Sequence, residues 1–211
     1  MASHRQPATV RAARARALGL LGAILWLASA APASANLESG VTAFRSGDYA
    51  TATEELAPLA EADDAEAQYY VGAMYESGLR TDQDFAEAMR WYVGAADHGL
   101  VMAQYHLGLL YEMGEGVEKD YAEAAEWHEQ AATRGHAPAP NNLGVLYLKR
   151  LGVEQDPMCA YLLFARAADQ QFPDARGNFR KASRRLSHEE RAEAAEILRR
   201  ERPGQRKLFR W

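Results

Sequence analysis

The chain has 211 residues, 48% of them hydrophobic and 25% charged, with a formal net charge of −5. It is too rich in Ala, Leu, Tyr and Trp for a disordered chain, its single Cys excludes a disulfide framework, and its length fits one domain or one short repeat array. Residues 36–172 hold 23 acidic against 8 basic residues, and 173–211 hold 12 basic against 6 acidic, a distribution unlike that of a nucleic-acid binder.

The first 35 residues read as a secretory signal peptide. Arg5, Arg11, Arg14 and Arg16 precede an uncharged stretch from Ala17 to about Ala30 that contains Leu20, Leu21, Ile24, Leu25, Trp26 and Leu27. Pro32 and the small-x-small site Ala33-Ser34-Ala35 follow, which predicts cleavage between Ala35 and Asn36, with Ala30 as the alternative site. A spanning helix needs about 20 apolar residues, more than this Ala-diluted stretch supplies, and no later segment is long enough. The mature chain is therefore expected to be periplasmic or secreted, without an integral span.

Beyond residue 36 the sequence repeats with a period of 36. Ala67, Ala103, Ala139 and Ala175 share one register, as do Gly72, Gly108 and Gly144, and Tyr75, Tyr111 and Tyr147. Asp48, Asp84, Asp120 and Asp156 keep the same step; Trp91 and Trp127 weaken to Leu163, and Gly99 and Gly135 give way to Gln171. Each unit reads as two antiparallel helices. In the first, the Ala, Val or Leu, and Tyr positions fall at i, i+4 and i+8 on one face, and the mid-helix Gly, costly by about 1 kcal/mol against Ala, marks a close helix approach. Gly78, Gly114 and Gly116 end that helix. The second opens on Asp84-Phe85-Ala86-Glu87 or Asp120-Tyr121-Ala122-Glu123, both capping boxes, or on Asp156-Pro157. Its packing stripe is Ala88, Trp91 or Tyr92, and Ala95.

The expected organisation is a signal peptide (1–35), a short helix pair (36–64), repeats at 65–100, 101–136 and a degenerate 137–172, capping helices at 173–202 and a basic tail at 203–211. In the last helix, opened by Ser187-His188-Glu189-Glu190, Ala192, Ala195 and Leu198 are expected to cover the final apolar edge.

These residues resemble the Sel-one-like repeat (SLR) family, relatives of the tetratricopeptide repeats. Residues 101–136 carry the pattern most fully, with Ala103, Leu107, Gly108, Tyr111, Gly114, Gly116, Val117, Asp120, Ala124, Trp127, Ala131, Ala132 and Gly135. Residues 65–100 have Arg80 and Thr81 for Gly-Val; residues 137–172 have Arg150 for the first Gly and Leu163 for Trp; residues 37–62 look more like a tetratricopeptide unit. The resemblance implies an all-α, right-handed α-solenoid of antiparallel helix pairs that binds other proteins, and exported bacterial members are similar to adaptors and regulators of envelope complexes. A cysteine-rich branch is linked to β-lactam or cell-wall-fragment binding, which makes a binder or hydrolase of those ligands the alternative; Cys159, being alone, departs from that branch.

Catalytic motifs do not assemble. No Ser lies in a Gly-x-Ser-x-Gly elbow or a Ser-x-x-Lys pair, and His128-Glu129 and His188-Glu189 lack the second His of a zincin, so both His read as surface residues. His98 and His136 suit helix C-terminal ends. Glu112, Glu115, Glu118 and Asp120 lack EF-hand spacing. No cofactor, metal or enzymatic activity is expected. The candidate partner-binding residues lie on the first helix of each pair, beside its packing stripe. Met102, Tyr105, Leu109 and Glu112 form a second row at i, i+3, i+7 and i+10. Its equivalents are Glu66, Tyr69, Ala73 and Glu76 on one side and Asn141, Val145 and Leu148 on the other. Such a groove suits a protein or peptide with apolar anchors and some positive charge; packing between adjacent repeats is the competing reading of the same side chains.

Overall fold

A computed structural model describes residues 35–201, and all structural statements concern these. They form ten helices: α1 Leu37–Ser46, α2 Tyr49–Glu61, α3 Ala65–Ser77, α4 Phe85–Asp97, α5 Val101–Met113, α6 Tyr121–Thr133, α7 Ala139–Lys149, α8 Pro157–Asp169, α9 Ala175–Ser183 and α10 His188–Glu201, with no strand among the described residues. The signal-peptide reading, except Ala35, and the basic tail 203–211, with Arg202 before it, lie outside them. The chain divides into two compact units at Lys119/Asp120.

The predicted caps are in place. Asp84 accepts from the amides of Ala86 and Glu87 at 2.9 and 3.0 Å, Asp120 from Ala122 and Glu123, Asp48 from Thr51 and Asp156 from Cys159. Each satisfies amides that the first turn leaves without partners, worth about 1 kcal/mol per cap. The reciprocal half of the capping box does not form at Asp84, whose own amide donates to the Tyr75 carbonyl at 3.0 Å while Glu87 pairs with Arg90 at 2.9 Å. Ser187 does form both halves: its amide donates to Glu190 at 2.7 Å and its Oγ accepts from the Glu190 amide at 3.1 Å.

In the first unit α1 packs on α2, α2 on α3, α3 on α4 and α4 on α5. Leu56, Ala52, Ala67, Val71 and Met74 make its core, flanked by the partly buried Phe44, Tyr69, Tyr75 and Trp91. The helix glycine does what its register position requires, since a Cβ on Gly72 would stand 2.9 Å from the Tyr92 ring. In the second unit α6 packs on α7, α7 on α8, and α9 and α10 both on α8, around Tyr161, Phe164, Phe179, Leu186, Ala194 and Leu198. Gly144 repeats the device against Phe164 at 2.8 Å.

Two expectations on packing are corrected. The inward row of α10 is Ala194 and Leu198; Ala192 is exposed and Ala195 only partly covered, because α10 lies on α8 rotated from the assumed face. His128, read as a surface residue, is wholly buried. It stands one period from Tyr92 and one from Phe164, so it occupies the ring position of its repeat. In the second helix of the first full repeat Tyr92 is the fully buried ring, and Trp91 lies half-buried with the Arg90 guanidinium 4.3 Å above its face.

Candidate functional site

The first helices of the first unit put a run of rings on one side of it. Phe44 on α1 meets Tyr70 of α3 at 5.0 Å between centroids, and Tyr70 meets its neighbour Tyr69 at 5.2 Å. Tyr69 reaches His106 of α5 at 5.6 Å, and His106 meets Tyr105 edge-on at 5.9 Å. Edge-on and tilted contacts of this kind are the favoured geometry, worth about 0.5–1.5 kcal/mol per pair beyond burial. Phe44, Tyr69, Tyr105 and His106 are each partly open to solvent. Arg45 donates to the Tyr70 hydroxyl at 3.2 Å at the α1 end.

Beneath this run Glu76, in the last turn of α3, joins three helices. Its Oε2 accepts from the Tyr92 hydroxyl of α4 and lies 3.0 Å from Nδ1 of His106 on α5; facing a carboxylate, that nitrogen is the donor. Burial pushes the Glu76 carboxyl up, but the hydrogen bonds from His106 and Tyr92 outweigh it and leave the group below its ordinary value of 4.5. Burial, then the bond to Glu76, holds the Tyr92 phenol far above its usual range, so it stays a donor. Tyr69 is raised as well, by burial first and then by Tyr70 and Glu76.

The structure thus brings Tyr69, Glu76 and Tyr105 together, and adds Tyr92, expected only as a packing residue of α4, and His106, which no sequence motif marks. Glu76 is not an open acidic edge, being held by two donors. Tyr69 is wedged against Tyr92 at 5.7 Å as well as His106. Met102 is 41% exposed, and Leu109, Glu112 and Ala73 are partly so, with Glu66 open to solvent. Met113, at 54%, is the other large exposed apolar residue described. Asn141 departs from the expected surface row: only 6% exposed, it accepts from Asn178 of α9 at 2.9 Å and ties α7 to α9. Val145 and Leu148 pack partly buried against the core of the second unit. The signal that would have found His106 is its register, one period after the ring of Tyr70.

The lone thiol is poorly placed for chemistry. Burial, then Asp156, pushes Cys159 up to about 11, so it is protonated near neutral pH, whereas reactive cysteines are thiolates. Among the described residues no group of three or more His, Cys, Asp or Glu is arranged to hold a metal ion, and no helix is long and apolar enough to cross a membrane.

A family model described as Sel1 repeat matches residues 65–100, 101–136 and 137–172. Among solved structures, a Sel1 repeat protein from Oxalobacter formigenes is 30% identical with a TM-score of 0.64, over 68% of this chain and 59% of that one. A protective antigen present in uropathogenic Escherichia coli strains, displaying an SLR fold, is 32% identical with a TM-score of 0.55, over 70% of this chain and 36% of that one. The chain therefore spans less than two thirds of either protein's length. No match was found among curated proteins.

Proposed function

Because the chain belongs to the Sel1 repeat family, whose members generally act as protein-interaction scaffolds, we propose that it is a non-enzymatic scaffold or regulator of the cell envelope. Its partner is a protein or peptide, held on the ring-bearing face of α1, α3 and α5. The observation that carries this reading is the run Phe44–Tyr70–Tyr69–His106–Tyr105, partly exposed at every ring but the buried Tyr70, with Met102 open beside it. Tyr is over-represented where binding energy concentrates, because it offers a large rigid apolar face and a polar tip at low entropic cost. The acidic excess of residues 36–172 favours a partner with apolar anchors and some positive charge. The protonated Cys159 thiol supports the non-enzymatic reading against a cysteine-based hydrolase.

Export rests on the basic region, the apolar stretch and Ala33-Ser34-Ala35. N-terminal sequencing of the exported protein should begin at Asn36; a full-length intracellular product would remove the envelope from the proposal. The binding face is tested with Met102→Ser and Tyr105→Ala combined, which spare the wedged Tyr69. Mass spectrometry after in-cell crosslinking should show the main adduct reduced roughly tenfold, a loss of about 1.4 kcal/mol, with an unchanged circular dichroism spectrum. An undiminished adduct would move the site elsewhere.

A further inference from the structure

The cations of α9 and the turn after it all face solvent. Arg176, Arg180 and Arg184 follow at i, i+4 and i+8, Lys181 and Arg185 form the adjoining row, and all five are exposed. Ala175, Phe179 and Ala182 turn the opposite side of the helix into the core. By contrast, Arg90 is neutralised by Glu87 at 2.9 Å, Arg166 by Glu201 at 2.7 Å, and Arg199 and Arg200 by Glu196 at 2.9 and 3.1 Å. No carboxylate among the described residues pairs with Arg176, Arg180, Arg184 or Arg185. Lys181 meets only the neutral Asn178 side chain at 3.1 Å. Of the nearby acids, Asp174 and Glu189 stand at the two ends of the run, and Glu190 is occupied by the Ser187 amide. Like charges at i, i+4 are mildly destabilising in a helix, so this face carries a folded-state cost that an anionic surface would reverse.

We propose that the exposed face of α9 docks peripherally on an anionic phospholipid surface, its guanidinium groups taking headgroup phosphates. The site is a stripe along a single helix rather than a cleft, and four of its five cations are Arg, whose planar fork matches phosphate oxygens. The acidic excess of 36–172 would be repelled by the same surface, so the attraction falls on the cationic stripe of α9. The proposal rests on residues separate from the ring-bearing face and stands or falls independently of it.

The test is cosedimentation of the chain from Asn36 with vesicles of about one-third phosphatidylglycerol in phosphatidylcholine, against phosphatidylcholine alone, at about 50 mM and about 0.5 M NaCl. Binding should be at least roughly tenfold stronger to the anionic vesicles and lost at the higher salt. Replacing Arg176, Arg180, Arg184 and Arg185 with Gln should abolish it with an unchanged circular dichroism spectrum. Replacing the same four with Lys should retain most of it. Equal binding to neutral vesicles, or full binding by the Gln variant, would overturn the proposal. So would release by a few millimolar inorganic phosphate at constant ionic strength, which marks a free-phosphate site. Salt-sensitive self-association that the vesicles cannot disrupt would assign the patch to an acidic protein surface instead.

Discussion

Arg150 ends α7 with φ 59°, in the place where Gly78 ends α3 at 65° and Gly114 ends α5 at 75°. Two residues on, Arg80, Gly116 and Gly152 take 69°, 72° and 67° in another shared column. The turn geometry persists where glycine does not, because the backbone after the first helix must double back over a fixed distance. At Gly116 the demand is also steric: a Cβ there would lie 2.4 Å from the backbone carbonyl of Phe85. Side chains in this left-handed region cost roughly 1–2 kcal/mol, part of which glycine gives back through its greater unfolded-state freedom. Arg150→Gly should therefore raise stability by about 0.5–1 kcal/mol in urea denaturation. Gly116→Ala should lower it by more than about 2 kcal/mol, since the clash adds to the strained backbone. A neutral Gly116→Ala would mean that the loop after α5 does not lie on the start of α4.

Between elements, Glu76 is the shared acceptor that joins α3 to α4 through Tyr92 and to α5 through His106. Its carboxyl sits below the ordinary 4.5 when folded, so the unfolded chain holds that proton to higher pH. The stabilisation is complete above the ordinary value and disappears as pH falls through the folded one. Glu76→Gln should cost about 1 kcal/mol at pH 7, the difference between a charge-assisted and a neutral hydrogen bond. The gap to wild type should narrow as pH falls below the ordinary value of 4.5, and a gap independent of pH would show that the charge contributes nothing. The helices, their caps and the 36-residue register were legible because period, Asp caps and turn residues agree locally. The joint at Glu76 was not, since it depends on how three helices meet rather than on any one of them. Asn141 was misplaced for a related reason: it shares the register of Tyr69 and Tyr105, but a short amide there reaches Asn178 of the capping helix where Tyr would project. His128 was legible in principle, as the middle of a column of rings with Tyr92 and Phe164 one period to either side.

At the scale of the molecule, each described unit has a core of its own, one built on Leu56 and Val71 and the other on Phe164 and Phe179. Helical repeats contact chiefly their neighbours, so stability is close to a sum of local terms, and a core lesion should weaken its surroundings before it weakens the chain. Leu56 and Phe164 are fully buried, and truncation to Ala removes both their transfer free energy and their packing, about 2–5 kcal/mol for Leu and 3–5 for Phe. Native-state hydrogen exchange read by mass spectrometry resolves where that loss falls. Leu56→Ala should speed exchange in α1 to α4 by roughly two to three orders of magnitude, because each 1.4 kcal/mol is a factor of ten, and leave α8 and α9 within about tenfold of wild type. Phe164→Ala should give the converse pattern, with α7 to α9 opening first. A uniform acceleration from either substitution would show one cooperative body, in which the helices carrying the ring face and the cationic face open together and neither surface can yield alone.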